Sequence, residues 1–322
     1  MPAPNVSVVR VEGRRLTLTN LDKVLWPATG FTKAQLIAYY TELAPVLLPH
    51  LAGRPLTTRR FPDGVEGVSW HQNECSGEPE WFPVFETTGR GGRRLRFCMV
   101  DGPAALVWLA NRAAVELHPF LWRVELPRQP LSLVFDLDPG PPAGLLESAR
   151  VALRLRDLLD ELGLPALVKS SGSLGLHLHV PLERPGPTKE LARGIARALA
   201  ARYPDEVVAA MRRESRRGKV YVDWLQNDPT RQTVAPYSVR GVPLPTVAAP
   251  LAWEEVEAAV AAKRPDGLRV LVDDVPRRLE RHGDLFEPLL AAERALELTE
   301  RGRARTAGRP SFQPDRGQSP RC

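Results

Sequence analysis

Two aspartates with one residue between them stand in the run Leu-Val-Phe-Asp136-Leu-Asp138-Pro-Gly. Side chains alternate along a strand, so both carboxylates project from one face, about 7 Å apart along the backbone, while Phe135 and Leu137 pack on the other. Carboxylates held that close repel each other. A divalent cation that takes hard oxygen ligands, magnesium or manganese, keeps such a pair ionised; a solvated Asp-Pro-Gly turn is the alternative. A third acid bears on the choice, because Lys219-Val-Tyr-Val-Asp223-Trp places Asp223 at the end of another alternating run. Three acids on adjacent strands can hold two cations, an arrangement that clamps the attacking and leaving oxygens of a phosphoryl transfer.

An anion-binding candidate lies between these strands in sequence. In Ser170-Ser171-Gly172-Ser173-Leu174-Gly175-Leu176-His177-Leu178-His179, small residues let backbone N–H groups converge on an anion, and the hydroxyls of Ser171 and Ser173 add donors. An ordinary turn has the same composition. His177 and His179 share a face of the following strand; they could also ligate zinc, but no third soft ligand lies nearby. Arg216, Arg217 and Lys219 precede Asp223, and Arg240 follows in Ala-Pro-Tyr-Ser-Val-Arg-Gly. Beside a carboxylate strand, such cations balance a triphosphate.

The elements that must position these groups read as mixed α/β. A weak alternation over the first 20 residues predicts a hairpin broken at Glu12-Gly13. Thr32 and Gln35 form a capping box, opening a helix with Leu36, Ile37, Tyr40 and Leu43 on its face before Pro45 and Pro49 disrupt it. Short strands are expected at Leu56 to Phe61 and Arg94 to Val100, and Asp101-Gly102-Pro103 opens a helix to about Leu117. A strand from Leu131 to Asp138 leads into a helix from about Glu147 to Leu162, ended by Gly163. Strands follow around Ala166 to Ser170 and Leu176 to Val180, then a helix from Lys189 to Tyr203 and a strand from Lys219 to Leu225. A final helical stretch begins near Trp253.

Composition bounds the alternatives. The chain has 322 residues, 43% hydrophobic and 25% charged, which excludes collagenous and wholly disordered classes. No run approaches the roughly 20 apolar residues of a membrane span, and Arg10, Glu12, Arg14 and Arg15 interrupt any signal-peptide core, so no membrane partner and a cytoplasmic location are expected. Cys75, Cys98 and Cys322 are odd in number and scattered, and read as reduced thiols. The net charge is +6; residues 301 to 322 hold six arginines against one acid, a net +5 that leaves +1 for the other 300 residues. That Arg/Gly/Pro/Ser tail reads as disordered, able to add salt-sensitive attraction to phosphates.

In order and spacing, FDLDPG, SSGSLGLHLHV, KVYVDWLQN and APYSVRG resemble the polymerase domain of bacterial ligase D, a member of the archaeo-eukaryotic primase superfamily. The resemblance runs from about Leu18 to Trp253 and includes the Asn20 to Lys33 segment, Arg54-Pro, Arg59-Arg60-Phe-Pro-Asp-Gly, Glu116-Leu-His118 and Pro245-Thr-Val-Ala-Ala-Pro. Without ligase and phosphoesterase modules, the chain looks like the stand-alone or excised form. The resemblance implies a primase-polymerase fold of α/β (α+β) class, with a catalytic sheet like that of the RNA-recognition module, flanked by helices, and an N-terminal lobe. The expected division is a catalytic domain over 1–300, its lobe about 1–125 and its core about 126–300, followed by the 301–322 tail.

It also implies a template-directed nucleotidyltransferase of non-homologous end joining, filling gaps and extending ends, often with ribonucleotides and manganese. Asp136, Asp138 and Asp223 would hold two ions, manganese or magnesium. Ser171, Ser173, His177, Arg216, Lys219, Gln226 and Arg240 would hold the NTP or dNTP, with His118 in the active centre. Lys23 and Lys33 would grip the 5′-phosphate downstream of a gap, and Arg59, Trp70 and His71 would meet the template. Ku and a separate DNA ligase are the partners implied. Two positions depart from the family: Leu174 stands where relatives usually have lysine, and Trp70-His71 where they often have paired phenylalanines that stack on the template. A primase working without a primer, a non-catalytic DNA-end-binding module and a metal-dependent phosphohydrolase are the alternatives.

Overall fold

The computed structural model describes residues 6–186 and 188–296; the basic 301–322 segment lies outside them. The chain opens with a hairpin of β1 (Val6–Val11) and β2 (Arg14–Thr19), turning at Glu12-Gly13. A second small hairpin, β3 (Val24–Trp26) with β4 (Phe31–Thr32), leads into α1 (Lys33–Glu42). The capping box forms: Thr32 Oγ1 accepts the Gln35 N–H at 3.3 Å, and Gln35 Oε1 accepts the Thr32 N–H at 2.8 Å. Two donors that would otherwise end unpaired are thereby satisfied. Prolines 45 and 49 do not end the helical region, because a new helix, α2 (Ala44–Leu51), starts with Pro45 in its first turn, where a missing N–H costs nothing.

The N-terminal sheet is built on β5 (Leu56–Arg60). On one edge it meets β6 (Trp70–Gln72) and then β8 (Arg94–Cys98), which in turn pairs with β7 (Val84–Thr88). Here two expectations are corrected. The helix opened by Pro103 is α3 (Pro103–Asn111), and it stops six residues before Leu117. Ala113 then takes φ 56°, and residues Ala114–Pro119 form β9, pairing along the other edge of β5. The apolar run continues across that turn, so local pattern alone extends the helix; pairing with a strand more than 50 residues away decides otherwise. Cys75 and Cys98 form a disulfide, with Cα atoms 4.9 Å apart, rather than free thiols. The chain after β6 folds back over β8, the Cys75 N–H donating to the Arg96 carbonyl at 2.8 Å, a tertiary approach that spacing does not reveal.

The second sheet follows a βαββαβ path: β10 (Ser132–Pro139), α4 (Leu145–Glu161), β11 (Leu167–Ser170), β12 (Leu176–Pro181), α5 (Lys189–Arg202), and then, after the two-residue β13 (Val207–Val208), β14 (Val220–Asp223). The strands lie in the order β13-β14-β10-β12-β11, and β15 (Pro250–Leu251) closes the far edge. Every pairing is antiparallel except β13 with β14. This split βαβ arrangement is the ferredoxin-like motif and places β10 centrally. Leu133, Phe135 and Leu137 are fully buried in the core with Val151 and Leu155 of α4 and Ile195 and Leu199 of α5. Each such side chain contributes roughly 1.5–3 kcal/mol on burial, which fixes the register and turns Asp136 and Asp138 to the opposite face. Of two further helices, α6 (Trp253–Ala262) packs against α4, and α7 (Val275–His282) reaches β15, where Arg278 donates to the Pro250 carbonyl at 3.0 Å. The core is continuous between the sheets, Leu56 and Leu117 of the first joining one cluster with Phe135 and Val239.

Candidate active site

Antiparallel pairing sets Asp136 directly opposite Asp223 and, on its other side, opposite His177. One carboxylate oxygen from each of Asp136, Asp138 and Asp223 lies within 4.8 Å of the other two. Burial, with the repulsion of Asp136 and Asp223, pushes the Asp138 carboxyl up to about 7. Burial likewise raises Asp136 and Asp223. Asp223 is aimed by the Leu225 N–H at 2.9 Å, by the Tyr221 hydroxyl and by Gln226 Nε2, both at 3.3 Å. Three crowded acids with raised affinity for protons make a hard-oxygen site that magnesium or manganese fits, since a divalent charge removes the repulsion that protonation otherwise relieves.

The serine loop takes a form different from the expected N–H cradle. Gly172 donates to Ser170 Oγ at 2.9 Å, and Ser173 and Gly175 both donate to Ser171 Oγ at 3.2 Å. Its amides thus hold the loop together, and the serine hydroxyl protons remain to meet an anion. Gly172 has φ +70°, and a Cβ there would stand 2.4 Å from Arg240 Cγ, so the turn and the arginine require glycine. Arg240 NH1 donates to the Ser171 carbonyl at 2.6 Å. His177 Nε2 is 3.1 Å from Asp136 Oδ1; burial holds the imidazole well below its usual range, so a neutral ring stands beside the carboxylate.

Over the carboxylates opens a cavity of about 430 Å³ whose lining includes His71, His118, Asp136, Asp138, Ser171, Ser173, His177, Gln226 and Arg240. Leu174 also lines it and is 48% exposed. Arg216 stands at the edge, its guanidinium 3.6 Å above the Tyr221 ring, opposite Asp138 in register. Lys219 is not brought in, because its ammonium donates to the Pro204 carbonyl at 2.6 Å. Trp70 is 42% exposed under the Arg60 guanidinium, and the His71 ring lies 5.7 Å from that of His118. Arg59 bonds Ser69 at 3.1 Å and covers the Phe61 ring at 4.9 Å.

Lys23 and Lys33 meet at a second place. The Lys33 N–H donates to the Lys23 carbonyl at 2.9 Å across β3 and β4. Lys23 Nζ pairs with Asp63 at 2.9 Å, and Lys33 Nζ donates to the Asn111 carbonyl at 3.1 Å. Burial, then the Lys23 charge, lowers the Lys33 pKa; an anion there would relieve both ammonium groups.

Sequence reasoning missed Gln232, Thr233 and Val234, which also line the cavity, and the part played by Glu116. The segment 232–235 runs beside β9, its Ala235 N–H on the Leu117 carbonyl at 2.9 Å, a pairing with no local signature. Glu116 was visible only as a neighbour of His118.

A ferredoxin-like sheet with its acids on the open face and an anion loop one strand away defines the class, a primase-polymerase palm. Residues 32–286 match the family described as LigD, primase-polymerase domain. The multifunctional non-homologous end joining DNA repair protein LigD of Mycobacterium tuberculosis is 40% identical over 309 residues, 92% of this chain and 40% of that protein. The bifunctional non-homologous end joining protein LigD of Bacillus subtilis is 31% identical over 277 residues, 84% of this chain and 44% of that protein. A solved structure described as the polymerase domain from Mycobacterium tuberculosis ligase D in complex with DNA matches with a TM-score of 0.79 at 40% identity, covering 86% of this chain and 98% of that one. The chain belongs to the LigD primase-polymerase domain family, and it spans about 40% of the length of the mycobacterial relatives it matches. Among the described residues no helix is long and apolar enough to cross a membrane.

Proposed function

We propose that the protein is a template-directed nucleotidyltransferase that fills gaps and extends DNA ends in non-homologous end joining. The observation that carries this is the cluster of Asp136, Asp138 and Asp223, of which Asp136 and Asp138 line one cavity together with the serine loop. The primer 3′-hydroxyl oxygen bonds to the α-phosphorus of an NTP or dNTP, and pyrophosphate leaves. Asp136, Asp138 and Asp223 would hold two divalent cations, manganese or magnesium, which supply Lewis-acid charge at the hydroxyl and the triphosphate. The Ser171 and Ser173 hydroxyls donate to phosphate oxygens, while Arg240 and Arg216 balance their charge. His177 holds Asp136 in place, Gln226 orients Asp223, and His118 faces the nucleotide from the N-terminal sheet. With Leu174 in the loop, one cationic contact of the family is missing, and nucleotide affinity is correspondingly lower.

Lys23 and Lys33 take the 5′-phosphate of a gapped duplex. Trp70 stacks on the template, a contact that contributes roughly 1–3 kcal/mol per base and tolerates any sequence; His71 and Arg59 flank it. Ribonucleotides are the preferred substrates, the DNA is met on the nucleoid in the cytoplasm, and Ku and a separate ligase are the partners in this reading. The test offers a gapped, 5′-phosphorylated duplex and each nucleotide singly, with a primer-free template in parallel. Addition of the templated nucleotide alone, with no product on the primer-free strand, supports gap filling; untemplated release of inorganic phosphate without incorporation refutes it.

A further inference from the structure

Several groups of the site converge on one buried carboxylate that does not line the cavity. Glu116, on β9, is 1% exposed. Its Oε2 lies 2.9 Å from His118 Nε2, and its Oε1 accepts the Gly241 N–H at 3.0 Å. The same Oε1 pairs with Arg240 Nε at 3.5 Å and Arg59 NH1 at 3.6 Å. These partners come from two sides. His118 shares the strand of Glu116, and Arg59 lies directly opposite it on β5. Arg240 and Gly241 belong to the segment that clasps the serine loop, through Ser171 and through Thr246, whose hydroxyl bonds the Gly172 carbonyl. Arg59 in turn bonds Ser69, the residue before Trp70.

A buried charge is tolerable only while its partners are in place. Movement of Arg59 when DNA binds therefore changes how firmly Glu116 holds Arg240 and His118, and movement of Arg240 on a triphosphate changes its hold on Arg59. We propose that Glu116 is a positioning residue that couples the DNA side of the site to the nucleotide side, so that bound DNA tightens nucleotide binding. The proposal rests on the nucleotide-transfer reading above. Coupling of this kind is reciprocal, and its usual size is about 5- to 150-fold in affinity.

The test measures the Kd of an NTP in manganese, with and without saturating gapped duplex whose primer lacks its 3′-hydroxyl. For the native protein the ratio of the two constants should be about five or more. Glu116→Gln keeps the shape and removes the charge, and its ratio should fall toward one. Arg59→Ala cuts the same link from the DNA side at a partly exposed position, so its ratio should fall even if the glutamine variant fails to fold. The double variant should lose no more coupling than either single one. Nucleotide binding by the native protein with a ratio of one, or ratios unchanged in the variants, overturns the coupling and leaves the nucleotide-transfer reading standing. No nucleotide binding by the native protein under either condition overturns both.

Discussion

Replacing Gly175 with alanine inserts a methyl group between the serine loop and the catalytic strand. The added Cβ would stand 2.2 Å from the carbonyl oxygen of Leu137, the residue between Asp136 and Asp138, and 3.6 Å from Ser171 Oγ. A carbon and a carbonyl oxygen do not approach that closely, so loop or strand must yield by roughly 1 Å, a misplacement able to cost on the order of 100-fold in rate. Overpacking of this kind costs about 1–3 kcal/mol in stability. The Gly175 backbone has no positive φ, so the effect is steric and not conformational. Gly194 provides the control, since a Cβ there meets nothing within 4 Å at an exposed position of α5; alanine at that position should stabilise the helix by about 1 kcal/mol. Single-turnover incorporation at saturating nucleotide, with thermal unfolding in parallel, separates rate from stability. A Gly175→Ala protein that is folded and incorporates at the native rate would refute the claim that loop and carboxylates must keep their spacing.

Two more expectations follow from charge. The native protein should bind a gapped duplex carrying a 5′-phosphate about ten-fold more tightly than its hydroxyl counterpart, the scale of one charge-assisted contact, and the Lys23→Ala, Lys33→Ala double variant should lose that preference; equal binding of the two duplexes by the native protein counts against the pocket. The second concerns acid stability. Burial pushes Glu116 upward, but the His118 hydrogen bond, the Arg240 and His118 charges and the Gly241 N–H outweigh it and hold the carboxyl at about 2, below its ordinary 4.5. A depressed acid contributes stability that is complete above its unfolded pKa and is lost as pH falls through the folded one, here on the order of 3 kcal/mol. Urea unfolding from about pH 6 down to about pH 3 should therefore show the native protein losing more stability than Glu116→Gln, whereas parallel losses would contradict this.

What could be read in the sequence was what local rules determine. Alternation around Phe135 and Leu137 turned both aspartates to one face, and Asp223 ended a second alternating run; both strands stand as expected. The capping box at Thr32 likewise depends on four consecutive residues. What escaped were contacts made by distant segments. β9 exists because β5 pairs with it, the Cys75–Cys98 bond because a loop folds back over β8, and the many partners of Glu116 because two sheets meet there. Composition also suggested a cradle of amides at the serine loop, whereas the hydroxyl of Ser171 takes two of them for itself.

The central claim is that Asp136, Asp138 and Asp223 act together on a nucleotide. Asp138 is the most direct probe, being the most accessible of the three, with its carboxylate close to both neighbours. Extension of a gapped, 5′-phosphorylated duplex in manganese should add the templated nucleotide with the native protein and none with Asp138→Ala, while the variant retains DNA binding. Extension by Asp138→Ala at the native rate would contradict the account.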